Sequence, residues 1–168
     1  HRGFAPSTAP ADGPDPMVYA DDVAALLDAL GHARATIVGQ SMGGWTGIEF
    51  ALRWPARLDA LVLSSTSGTI DYRRLSPSLA GPLARWETDA AAGHALCEAR
   101  GLHVATGARM AAEQPALHLL YTQIDKTSAG LDKGRLRGRL MATRRRDPAE
   151  LAAIRAPTLV IAGEEDIV

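Results

Sequence analysis

The chain has 168 residues, with 18 Lys and Arg against 19 Asp and Glu, a formal net charge of −1, 46% apolar and 22% charged residues. This is the balance of an ordinary globular protein, without the basic excess that nucleic-acid or anionic-membrane binding needs, and no apolar run approaches the roughly 18 residues of a membrane span. With a single cysteine, Cys97, and no zinc-type Cys/His spacing, neither an internal disulfide nor a metal is expected. His1-Arg2-Gly3-Phe4-Ala5-Pro6 lacks the basic and apolar regions of a signal peptide, so a cytoplasmic setting is the default expectation.

Residues 1–16 read as loop, with four prolines. Asp15-Pro16 then opens a helix, Asp15 as N-cap and Pro16 in the first turn, where its missing N–H is not needed. Val23, Leu26, Leu27 and Leu30 recur at i, i+3, i+4, i+7 and predict one apolar stripe, which Gly31 terminates. Ala35-Thr36-Ile37-Val38 reads as a strand buried on both faces. After Gly39-Gln40-Ser41-Met42-Gly43-Gly44, Trp45, Ile48 and Leu52 mark a helix that Pro55 closes. Residues 58–64 form a second apolar run, so helix, strand, helix and strand alternate, which implies parallel strands joined by crossover helices.

Strand-like runs then pause. Helical patterns appear near 82–100, 108–124 and 131–145, the second carrying Leu117, Leu120, Tyr121 and Ile124 at helical spacing. Asp147-Pro148-Ala149-Glu150 has the form of a capping box, with Leu151 and Ile154 as an apolar face. Pro157-Thr158-Leu159-Val160-Ile161-Ala162-Gly163 is a third strand, with proline tolerated at its first residue. The organisation expected is a core part over 1–66, a helical block over 67–146 and a return to the core over 147–168.

Gly39-x-Ser41-x-Gly43 has the form of a sharp strand-to-helix turn that lifts the serine hydroxyl above the sheet. Glycine suits both flanking positions if each crowds the turn. The helix beginning near Met42 aims free N–H groups and a positive dipole end at the same point, so the Met42 N–H is the candidate donor to an oxyanion formed on attack by Ser41.

With a buried strand before it and a helix and parallel strand after it, the segment 38–64 resembles the nucleophile elbow of the α/β-hydrolase fold family. His1-Arg2-Gly3-Phe4 resembles that family's D-x-R-G-x-G-x-S loop, with Ala5 in place of the second glycine, and 156–166 resembles its acid-bearing strand. The resemblance implies a partial α/β-hydrolase fold, a parallel sheet with flanking helices, and an inserted helical cap over the serine. It also implies Ser41 as nucleophile, Asp166 of Gly163-Glu164-Glu165-Asp166 as triad acid, no cofactor, and a small carboxylic ester or lactone as substrate. Carbon–carbon bond hydrolases and haloperoxidase-like esterases share the elbow and stay open, whereas relatives with an Asp nucleophile are disfavoured by the serine at position 41.

In this fold the histidine base follows the acid, yet His1, His32, His94, His103 and His118 all precede Asp166. The base and the second oxyanion donor are therefore expected outside these residues, in a longer hydrolase of which this is the central part. A different class, a non-catalytic ligand-binding protein on the same fold, is the alternative. The basic run Lys133, Arg135, Arg137, Arg139, Arg144, Arg145, Arg146 reads as a solvated helix face rather than a nucleic-acid contact, because it lacks neighbouring aromatics for base stacking. Trp45 and Cys97 read as core residues, and Glu164 and Glu165 as solvated loop charges. The oligomeric state is not legible.

Overall fold

The alternation of apolar runs and helical periods over the first third of the chain is realised as a parallel sheet with helices packed against it. The structure, a computed structural model, describes residues 1–8, 16–127 and 131–166. A 3-10 turn, Pro16–Val18, leads into α1 (Tyr19–Ala29). Then come β1 (Ala35–Gln40), α2 (Gly43–Arg53) and β2 (Leu58–Ser64). The expected Asp15 cap lies outside the described residues. Gly31 ends the α1 region with φ +72°, a left-handed conformation that glycine adopts without a Cβ penalty.

The helical segments follow: α3 (Ala80–Ala99), α4 (Gly107–Glu113), α5 (Pro115–Lys126) and α6 (Lys133–Ala142). The single helix expected near 108–124 is two, because Pro115 cannot continue α4 and instead starts α5. The short helix expected at 147–154 is a 3-10 helix, Pro148–Ala153, with the Asp147/Glu150 capping box formed. β3 (Thr158–Ile161) ends the regular structure.

The three strands form one parallel sheet in the order β1-β2-β3. Register aligns Gln40 with Ser64 and Ser64 with Ile161, so all three strands finish level at one edge. Ala20, Ala24 and Leu27 of α1, Ile48, Phe50 and Ala51 of α2, and Leu58, Leu61 and Leu63 of β2 make the core. The stripe on α1 is thus rotated from the one expected: small Ala20 and Ala24 face inward, and Leu26 and Leu30 are exposed. Residues 44–51 of α2 are buried throughout, so this helix is wrapped on all sides.

Burial of the strands on both faces is not what the structure has. β1 alternates, with Val38 69% exposed, and Leu159, Val160 and Ile161 of β3 are exposed. On β1 the helices cover one parity of side chains and leave the other facing outward, whereas every residue of the edge strand β3 is exposed, so neither of its faces is covered. An apolar sheet face of this kind favours self-association. Sedimentation velocity across a concentration series should therefore show association, and a single monomeric species at every concentration would refute the expectation.

By its contacts the chain separates into two units. The first contains Ser7–Leu75 and Asp132–Gly163, and therefore the whole sheet, α1, α2 and α6. The second contains Ser76–Leu131 and Glu164–Val168. The stretch 67–146 is accordingly distributed over both, with Leu136 and Leu140 of α6 buried. In the second unit Cys97 is 2% exposed, as expected of a small apolar residue, whereas Leu117, Leu120 and Ile124 of α5 are exposed. Among the described residues no helix is long and apolar enough to cross a membrane.

Candidate active site

Ser41 occupies the turn between β1 and α2 with φ +49°, a left-handed conformation rare for a residue with a Cβ and held only where the surroundings enforce it. Two backbone bonds enforce it: the Ser41 N–H donates to the Ser64 carbonyl at 2.9 Å, extending the sheet ladder past the strand end, and its carbonyl accepts the Gly44 N–H at 2.9 Å. Met42 is the helix N-cap in right-handed conformation; the Gly44 and Trp45 N–H groups bond to the Ser41 and Met42 carbonyls at 2.9 and 3.1 Å, which leaves those of Met42 and Gly43 beside the serine without intrahelical partners.

The glycines of the motif do not play equal parts. A Cβ on Gly39 would stand 2.6 Å from the Gly43 carbonyl oxygen and 2.8 Å from its carbon, whereas a Cβ on Gly43 meets nothing within 4 Å. Crowding at both positions was the expectation; it holds at Gly39 alone, because the turn folds the start of α2 back over β1. The second crowded position is Gly44, where a Cβ would fall 2.2 Å from Thr66 Oγ1. Gly39→Ala is expected to lower stability by about 1–3 kcal/mol, read as an earlier urea midpoint, while Gly43→Ala leaves the midpoint level or raises it. Equal loss in both variants would contradict this one-sided packing.

Ser65, at the exit of β2, repeats the arrangement, with φ +47° and its N–H donating to the Ile161 carbonyl at 2.8 Å. Nothing in the sequence sets Ser65 apart. The parallel ladder brings Ser41 and Ser65 side by side at the edge where all three strands end.

The elbow therefore unites Ser41 and Met42 in the first unit. Asp166 belongs by contacts to the second unit, where its carbonyl accepts the Trp86 indole N–H at 2.9 Å. Glu165, expected to be solvated, makes an exposed ion pair with Arg109 at 3.0 Å, of the kind worth little in stability. Of the histidines, His1 places Nε2 2.8 Å from Thr46 Oγ1 and packs on Tyr19, and His103 Nε2 lies 3.5 Å from Asp125 Oδ2. Among the described residues no three His, Cys, Asp or Glu converge to hold a metal ion.

Two polar features of the first unit were missed. Glu49 of α2 is 2% exposed and receives a two-pronged contact from Arg146, Nε to Oε1 at 3.0 Å and Nη2 to Oε2 at 2.8 Å. Burial pushes the Glu49 carboxyl up, but the hydrogen bonds from Arg146 and Thr69 and the charges of Arg146 and Arg53 outweigh it and hold the group below the ordinary carboxylate range. Arg146 also binds Glu150 at 2.7 Å, and its backbone bridges the loop after β2 through Thr69 and Asp71. It thereby ties the elbow helix to the segment returning to the sheet. The second feature is Arg144, which is half-buried, so the basic run is not uniformly solvated. The only sequence signal for the first was an acidic residue inside the apolar helix 44–52.

A strained serine between a parallel strand and a buried helix, beside unpaired helix N–H groups, defines the elbow class of α/β proteins. The chain belongs to the α/β-hydrolase family: the family profile described as alpha/beta hydrolase fold matches residues 1–168. It is similar to the solved structure of Est816, described as an N-acyl homoserine lactone degrading enzyme, at 30% identity and TM-score 0.65, covering 98% of this chain and 62% of that one. It is also similar to the enol-lactonase from Burkholderia xenovorans LB400, at 28% identity and TM-score 0.61, over 97% and 60% of the two chains. Over 52 residues it is 46% identical to a 2-hydroxy-6-oxo-6-phenylhexa-2,4-dienoate hydrolase of Comamonas testosteroni, covering 31% of this chain and 18% of that protein. The chain thus spans less than two thirds of the length of these relatives.

Proposed function

We propose that this chain is the elbow-bearing part of a serine hydrolase acting on a small carboxylic ester or lactone. Ser41 attacks the carbonyl carbon, and the Met42 N–H stabilises the oxyanion. Asp166 orients a histidine supplied from outside the 168 residues, which takes the serine proton and returns it to the leaving alcohol. The observation that carries the reading is the left-handed Ser41, φ +49°, at a strand-to-helix turn, a conformation whose cost is repaid when the hydroxyl must stand clear of the sheet. Similarity to two solved proteins described as lactone-degrading supports the substrate class.

The test is to recover the coding sequence on both sides of this segment and assay its product with p-nitrophenyl acetate and simple lactones. A histidine following Asp166, with turnover abolished in Ser41→Ala, supports the hydrolase. Turnover that survives Ser41→Ala refutes Ser41 as the nucleophile, and no turnover at all leaves the fold serving to bind a ligand without chemistry.

A further inference from the structure

Of the three consecutive arginines that follow α6, two are committed. Arg146 holds Glu49 and Glu150, and Arg145 donates its Nε to the Ala142 carbonyl at 2.7 Å. Arg144 is different. Its guanidinium carbon lies 5.1 Å from the centroid of the Trp45 ring and 5.3 Å from that of Tyr72. Its Nε is buried and has no hydrogen-bond partner among the described residues. Cation–π attraction to two aromatic faces offsets part of the cost of removing the cation from water, but supplies no counter-charge. Burial, helped by the charge of Arg137, pulls its pKa below the ordinary arginine value, although a side-chain hydrogen bond and charge interaction with Tyr72 work the other way.

The platform under this cation is firm. Trp45 is 5% exposed and its indole N–H donates to the Leu140 carbonyl at 3.1 Å. Trp45 follows Ser41 by four residues, which sets it about 6 Å further along α2 at an ordinary helical rise. Tyr72 lies in the 3-10 helix Tyr72–Arg74, on the segment that leaves the sheet after β2. The guanidinium is therefore held between the helix that starts at the candidate nucleophile and the segment that follows β2. A carboxylate is the ligand whose planar pair of oxygens matches a guanidinium fork.

We infer that Arg144, seated on Trp45 and Tyr72, is an anion-recognition residue that selects acyl substrates carrying a second, ionised carboxylate, such as half-esters of short dicarboxylic acids or carboxylate-bearing lactones. As a statement about substrate this rests on the reading of Ser41 as nucleophile; as a statement about binding it does not. The probes are monomethyl glutarate, which carries the carboxylate, and dimethyl glutarate, which lacks it, titrated into the 168-residue chain by calorimetry. The half-ester is expected to bind the unaltered chain at least about tenfold more tightly than the diester, the size of one charge-assisted contact. Arg144→Met should bring the two to parity, and Arg144→Lys should keep part of the difference. Because the primary comparison uses the unaltered chain, misfolding of a variant does not spoil it. Parity of the two esters in the unaltered chain, or no saturable binding of the half-ester, overturns the inference. Selective half-ester binding with no Ser41-dependent hydrolysis in the longer product would sink the nucleophile and leave the anion site standing. Ser41-dependent hydrolysis without selectivity would do the reverse.

Discussion

Replacing Arg146 by Met is expected to destabilise the sheet-bearing unit by about 2–3 kcal/mol at pH 7, somewhat less than the loss of one partner from a fully buried ion pair. The discount reflects solvent: the Arg146 side chain is 33% exposed, against 2% for Glu49. The loss arises because Glu49 would remain ionised and buried with its guanidinium gone. The pH dependence has a definite sign. In the native protein the Glu49 pKa is depressed, so its contribution is fully present above the unfolded value near 4.5 and fades as pH falls through the folded value. Without Arg146, burial is opposed only by the Thr69 hydrogen bond and the Arg53 charge, so the pKa rises from its native position, and the deficit of the variant is largest at neutral pH and shrinks as the carboxyl protonates. Urea unfolding at pH 7 and pH 4 would reveal it. The double variant Glu49→Met/Arg146→Met should recover most of the loss, since a buried pair replaced by apolar side chains of similar volume costs little. A deficit that stays constant between the two pH values, or a double variant as weak as the single one, would show that the pair is not what joins α2 to the returning segment.

The second large effect concerns chemistry. On the reading proposed above, the 168-residue chain should hydrolyse p-nitrophenyl acetate at close to the buffer rate, because a serine without its base loses about 10⁴–10⁶ in rate. Ser41→Ala should then change nothing measurable in this chain, while in a longer product containing the histidine it removes nearly all turnover. Efficient hydrolysis by the 168-residue chain that vanishes in Ser41→Ala would instead make one of its own histidines the base. Alanine replacement of His1, His32, His94, His103 and His118 in turn would identify which one.

Elements whose ends are set by local chemistry were legible in the sequence. Gly31 stops α1 because its left-handed φ costs glycine little, Pro55 ends α2, and Asp147 and Glu150 close a capping box across four adjacent residues. The elbow belongs with them, since the conformation of Ser41 is fixed by neighbours within a few residues and by the strand paired beside it. Parallel pairing followed from the alternation of apolar runs with helical periods, because strands joined through a crossover helix have little other choice.

What tertiary structure alone decided is which side chains meet. Glu49 and Arg146 are 97 residues apart, and nothing local distinguishes Arg146 from Arg144 or Arg145. One clamps a buried carboxylate, one lies on two aromatic rings, and one caps the end of α6, according to where each side chain emerges from a single turn. The same holds for the glycines: the pattern nominated Gly39 and Gly43, but the path of the loop after β2 put Thr66 against Gly44 and left Gly43 open. The apolar period of α1 announced a buried stripe, while close packing on α2 selected the small Ala20 and Ala24 rather than the larger Leu26 and Leu30. Sequence periodicity records that a face is apolar. Which atoms fill it depends on the distance between elements, and that distance is fixed only when the packed surfaces interlock.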